Sequence, residues 1–132
     1  MGAERLNRIS RWILAVFYIS AGINHFVNPA FYLPLIPPYF PFPEEINILS
    51  GLAEVVLGGG VLFPPFSKQS LRGIILLLIA FIPSHIYFIQ IGSCIEGGLC
   101  TRPAVGLFRL VVIHPLLILW AYYSGLRTLK TT

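Results

Sequence analysis

Four apolar stretches, at about residues 9–27, 46–63, 71–91 and 105–123, constrain this chain more than any other feature. Each is close to the roughly 20 residues an α-helix needs to cross about 30 Å of hydrocarbon. In that medium every backbone N–H and C=O must be satisfied within the chain, which leaves helices and closed barrels. None of the stretches alternates apolar and polar residues with period two, which argues against a barrel. The expected architecture is an all-α integral membrane protein, a single domain over residues 1–132 folded as a four-helix bundle in a lipid bilayer. Composition agrees: only 11% of residues are charged, less than half of the roughly 25% usual in soluble domains.

Basic residues set the expected orientation, because cytoplasmic loops collect Lys and Arg. With four spans, both termini and the connection 64–71 share one side, which holds Arg5, Arg8, Arg11, Lys68, Arg72, Arg127 and Lys130. The opposite side holds Arg102 with Glu44, Glu45 and Glu96. Both termini are therefore expected to be cytoplasmic. The arginines before the first stretch resemble the n-region of a signal peptide. No small-x-small cleavage site precedes Asn24 and His25, so an uncleaved first span is expected. The formal net charge of +4 lies at the chain ends and in short loops. No basic run is long enough to track a phosphate backbone, so no nucleic-acid partner is expected.

Five side chains able to carry charge fall within the apolar stretches: His25, Glu54, His85, Arg109 and His114. Such groups are costly in a bilayer and should face one another or a wet cavity. At a rise of ~1.5 Å per residue, Glu54 lies ~12 Å from the outer surface, His85 ~9 Å, Arg109 ~6 Å and His114 ~14 Å, with His25 at the interface. All five thus occupy the outer half. Glu54 and Arg109 are the natural pair, either as an ion pair that fixes helix register or as an anion- or carbonyl-binding arginine beside a proton-accepting carboxylate. Tyr18, one heptad before His25, and Asn24 add neutral hydrogen-bonding groups at that level. Three histidines and a carboxylate can hold zinc or iron. Each would come from a separate helix with no H-x-x-x-H repeat, so no metal is expected. Proton relay, or a hydrogen bond to a quinone-like carbonyl, suits these histidines better.

Two helices carry internal prolines, Pro83 and Pro115, which release the carbonyls of Ile79 and Val111 and predict kinks. Ser50, Glu54 and Gly58 recur every fourth residue and share a face, where small residues allow close helix packing. Between the first two stretches, residues 28–44 contain six prolines among Phe and Tyr rings. Prolines at that density exclude a regular helix. The segment reads as a stiff flap on the outer face, serving as an interfacial anchor or as a lid over a site beneath. Cys94 and Cys100 bracket a short glycine-containing loop on the outer, oxidising side, and a disulfide between them is expected. The C-x5-C spacing is not that of a thioredoxin-type redox motif.

Together these residues resemble the DoxX-like family of small membrane proteins. The resemblance rests on Ala21-Gly-Ile-Asn-His25-Phe26 and the proline-rich stretch after it, on Ser50-Gly51-Leu-Ala-Glu54, on Phe81-Ile-Pro83-Ser-His85, and on Arg109-Leu with His114 five positions on. It covers about Arg11 to Tyr123. His85 stands where the family more often has Asn, and His114 where it often has Gln. The resemblance implies a four-helix bundle in a bacterial inner membrane. It implies a quinone-linked or redox-associated accessory subunit, in contact with a membrane or peripheral redox protein or with further copies of itself, and a quinone as cofactor. His25, Glu54, His85, Arg109, His114, Tyr18 and Asn24 would then form a polar ligand pocket in the outer half. The alternative is a non-catalytic assembly factor or chaperone, binding other helices through the face around Gly58 with a purely structural Glu54–Arg109 pair.

Overall fold

A computed structural model describes residues 2–126. The chain is all-helical, and among the described residues the only β-type pairing is an isolated bridge between Cys94 and Cys100. Helix α1 runs over Gly2–Val27, the one-turn helix α2 over Pro29–Tyr32 with a 3₁₀ turn at Leu33–Leu35, and α3 over Pro43–Gly60. Helix α4 spans Pro64–Ala80 and α5 Ile82–Gln90. The last helical stretch comprises α6 (Pro103–Phe108), a π turn (Arg109–Ile113), α7 (His114–Ala121) and a second π turn (Tyr122–Leu126). Arg127 and Lys130, two of the residues used above for orientation, lie outside the described residues.

Proline begins each helix after the first. Residues 29, 43, 64, 83, 103 and 115 each fall in a first turn. At 29, 43, 64 and 103 the missing N–H would have had no intrahelical partner, and the fixed φ suits the helix. This explains one departure from the sequence reading. Pro64 and Pro65 start α4 directly after the short connection 61–63, so the stretch 64–71 expected as a loop is helix.

The two internal prolines act differently. Pro83 sits where α4 gives way to α5, with Phe81 between them as a turn. At Pro115 the helix does not break. It widens upstream into the π turn, where the His114 N–H reaches the Arg109 carbonyl. An extra residue per turn accommodates a ring that would otherwise clash with the carbonyl four positions back.

Two stretches, Pro64–Gln90 and Pro103–Gly125, are long and apolar enough to cross a membrane. A third joins them if α1 and the segment Pro29–Leu35, which bend by 97° at their junction, count as one span. Helix α3 has 18 residues but carries Glu44, Glu45 and Glu54. It packs along α1.

The distribution of side chains is inverted relative to a soluble domain. Leu76 is 67% exposed and Val56 60%, whereas Glu54 is 6% exposed and His114 4%. Apolar faces turned outward suit lipid, which offers polar groups no partner. A dry core of Leu14, Tyr18, Val61, Leu71, Ile74, Leu78 and Ala121 fills the half nearer the termini. Near that end the Trp120 indole donates to the Ser10 hydroxyl at 2.8 Å, and Ser10 bonds Ser124 at 2.7 Å, tying α1 to the last helix.

Candidate functional site: a roofed cavity in the half away from the termini

Close approach of α1 and α3 builds one wall. Gly22 and Gly51 face each other, and a Cβ at Gly22 would stand 2.6 Å from the Gly51 carbonyl oxygen. A Cβ at Gly51 would stand 2.7 Å from the His25 Cβ. Only glycine allows this separation. The buried stripe of α3 is Asn47, Gly51, Glu54 and Gly58, spaced by four, three and four residues as one helical face requires. The sequence reading found Glu54 and Gly58 on this face. It missed Asn47, a polar residue two turns before Glu54, which that same spacing could have revealed.

His25 is held from three sides. Its Nδ1 lies 2.7 Å from the Asn47 Oδ1, and the Asn47 Nδ2 donates to the His25 carbonyl at 3.1 Å. A carbonyl only accepts, so the amide's NH2 faces it, its oxygen faces the ring, and Nδ1 carries a proton. The ring's Nε2 lies 3.3 Å from the Glu54 Oε2. That distance suits an ion pair, but the alignment is not that of a hydrogen bond, and Oε2 has no hydrogen-bond partner among the described residues. On its third side the His25 ring stacks on Tyr32, with centroids 3.7 Å apart and planes at 20°.

The expected Glu54–Arg109 pair is therefore corrected. The one ion pair among the described residues joins Glu54 to His25. The physical reason is the glycine contact, which brings α1 and α3 closer than either comes to the last helix. Arg109 instead reaches the same space from the opposite side, at the start of the π turn.

The second wall is less regular. His85, on α5, meets the edge of the His114 ring at a centroid separation of 4.7 Å, and Arg109 lies within electrostatic range of His85. His114 donates from Nε2 to the Leu78 carbonyl. Leu78 lies four residues before Ile82, where the helical ladder is interrupted ahead of Pro83. The proline break thus supplies an acceptor, and the buried histidine uses it.

Between the walls is a cavity of about 430 Å³, within the range of small-molecule sites. His25, Glu54, His85 and Arg109 line it together with Ser50 and Ser84. The remaining surface is largely apolar, including Ile46, Leu77, Phe81 and Phe88. Three of the predicted pocket residues stand behind this lining. His114 backs His85, Asn24 donates to the Tyr32 hydroxyl at 2.8 Å, and Tyr18 is in the core with its hydroxyl unbonded among the described residues.

The proline-rich segment covers part of the cavity. Phe31, Tyr32, Leu35, Ile36 and Phe40 all line it, and the 3₁₀ turn rests on α5 and α3. Of the two readings left open above, the lid matches this placement. The segment is not free of helix, since Pro29 starts the single turn of α2. Its Tyr32 ring stacks on His25.

Cys94 and Cys100 form the expected disulfide in the turn that links α5 to α6. Among the described residues no group of three or more His, Cys, Asp or Glu gathers as a metal site would require.

A family model described as a domain of unknown function (DUF8561) matches residues 14–124, which includes every residue lining the cavity. No significant match was found among curated proteins or solved structures.

Proposed function

We propose, for a chain that belongs to the DUF8561 family and takes no named activity from that membership, a membrane protein that binds a small apolar ligand with an acceptor head inside its helix bundle. The observation that carries this reading is the convergence of His25, Glu54, His85 and Arg109, from four separate helical stretches, on one apolar cavity beneath the flap. In this reading α1, α3, α4–α5 and α6–α7 are four spans of a DoxX-like bundle. Both termini lie on the cytoplasmic side of a bacterial inner membrane, in keeping with Arg5, Arg8, Arg11, Lys68 and Arg72 on that side.

Arg109 offers the head a rigid fork of donors. His25 and Glu54 place a shared proton at the opposite edge, where it can pass to or from a bound group. His85 completes the wall, and His114 fixes the position of the His85 ring. A quinone carbonyl is an acceptor of this kind, and a quinone-linked or redox-associated accessory subunit is the role the family resemblance suggests. The assembly-factor alternative gains less support. The Gly58 face it would use is occupied by α1, with Tyr18 and Ile19 in close contact, and the Glu54–Arg109 pair it assumed is replaced by Glu54–His25.

Native mass spectrometry of protein extracted gently from its membrane tests the reading. The expected result is a retained small-molecule mass that disappears in Ser84→Phe, which fills the cavity. An empty chain in both forms would count against a ligand-binding function.

A further inference from the structure

The charges around the cavity do not balance, and the imbalance specifies the ligand further. Among its lining residues Glu54 is the one acid, and its ion-pair partner is His25, at 3.3 Å. Facing them are Arg109, which stays protonated in proteins, and His85, which adds either no charge or a positive one. The flap contributes the Tyr32 phenol, whose oxygen accepts from Asn24. Glu44 and Glu45 lie in the first turn of α3 and Glu96 in the disulfide turn, and none of them lines the cavity. Arg109 forms no ion pair among the described residues. The cavity thus presents an uncompensated guanidinium within apolar walls, an arrangement that is costly in lipid until an anion joins it.

We infer that the ligand is a monoanionic amphiphile, with one oxyanion head on Arg109 and an apolar body against Phe81, Phe88 and the flap. The inference rests on the ligand-binding reading above and narrows it from any acceptor-headed molecule to an anionic one. A carboxylate or phosphate oxygen pair accepts two parallel hydrogen bonds from a guanidinium, which a single neutral carbonyl does not. The head can come from a free carboxylic acid or from the phosphate of an anionic lipid.

The test uses the full chain in nanodiscs of zwitterionic phosphatidylcholine, titrated by calorimetry with dodecanoate, dodecanol and a neutral decyl-substituted benzoquinone. Dodecanoate is expected to bind at least about tenfold more tightly than dodecanol, a difference of about 1.4 kcal/mol. Arg109→Gln should bring dodecanoate to the level of dodecanol, and Arg109→Lys should retain part of the preference. If the Gln variant does not fold, the wild-type ranking and the Lys variant still decide. Dodecanol or the benzoquinone binding as tightly as dodecanoate would overturn the anionic class and leave the cavity reading standing. Failure of all three to bind would overturn both. Adding phosphatidylglycerol to the nanodiscs separates the sources. Displacement of dodecanoate assigns the site to a lipid phosphate, and undiminished dodecanoate binding assigns it to a free acid.

Discussion

The two walls of the cavity are built in opposite ways. On the α1–α3 side, glycine-to-glycine contact sets the spacing, His25 and Asn47 hydrogen-bond each other, and Glu54 has His25 as its ion-pair partner. On the α5–α7 side, a proline break and a π turn interrupt the helices, and Arg109 faces the cavity without a carboxylate. The acid of the first wall has an ion-pair partner, and the arginine of the second has none among the described residues. Close packing fixes a reference surface, and irregular backbone on the facing side presents the reactive groups. The π turn begins at Arg109, which lines the cavity.

The most damaging change should be Gly51→Val, which forces a Cβ against the His25 side chain and the Gly22 backbone. Overpacking of this kind costs about 3 kcal/mol, and thermal unfolding in detergent should show a large loss. Unchanged stability would mean that the first wall is not closely packed. Next comes the Cys94–Cys100 disulfide in the turn between α5 and α6, with a sequence separation of six residues. Replacing both cysteines by Ser should cost ~2 kcal/mol, the loop-entropy value for so short a ring. Ligand affinity should fall with it, because the turn orients α6 relative to α5. Stability lost with affinity intact would show that the turn does not position Arg109.

Asn47→Leu removes the partner of the His25 Nδ1 and of the His25 carbonyl. A cost of roughly 1–2 kcal/mol is expected for the buried donor left unsatisfied, measurable by the same unfolding assay, and Asn47→Asp should recover part of it. The smallest effect belongs to Tyr32→Phe, which keeps the ring stacked on His25 and loses only the bond from Asn24. Roughly 0.6 kcal/mol is expected, visible as faster hydrogen exchange over residues 29–36 while α3 stays protected. Uniform protection across the flap would show that stacking alone holds it.

Much of this was legible in the sequence, and the exceptions share a cause. Apolar length and the clustering of ionisable residues in one half located the cavity, because the cost of charge in lipid acts residue by residue. The disulfide was legible from a six-residue separation across glycines. Partner choice was not. Glu54 was assigned to Arg109 because opposite charges were counted, whereas the pairing was decided by which helices could touch. The signal was in Gly22 and Gly51, whose significance appears only once the two are known to face each other. His114 was read as a pocket residue, yet it reaches the carbonyl of Leu78, which depends on where α4 ends rather than on the histidine itself. Likewise the six prolines showed that the flap would be stiff, but not that Tyr32 would turn inward onto His25.

The pairing of Glu54 with His25 rather than with Arg109 is tested by ¹⁵N NMR of histidine-labelled protein in micelles. Nδ1 of His25 and Nε2 of His114 should carry protons, and Arg109→Gln should shift the His85 signals and leave those of His25 in place. A His25 signal that moves when Arg109 is neutralised would contradict it, since Glu54 would then be balancing Arg109 across the cavity.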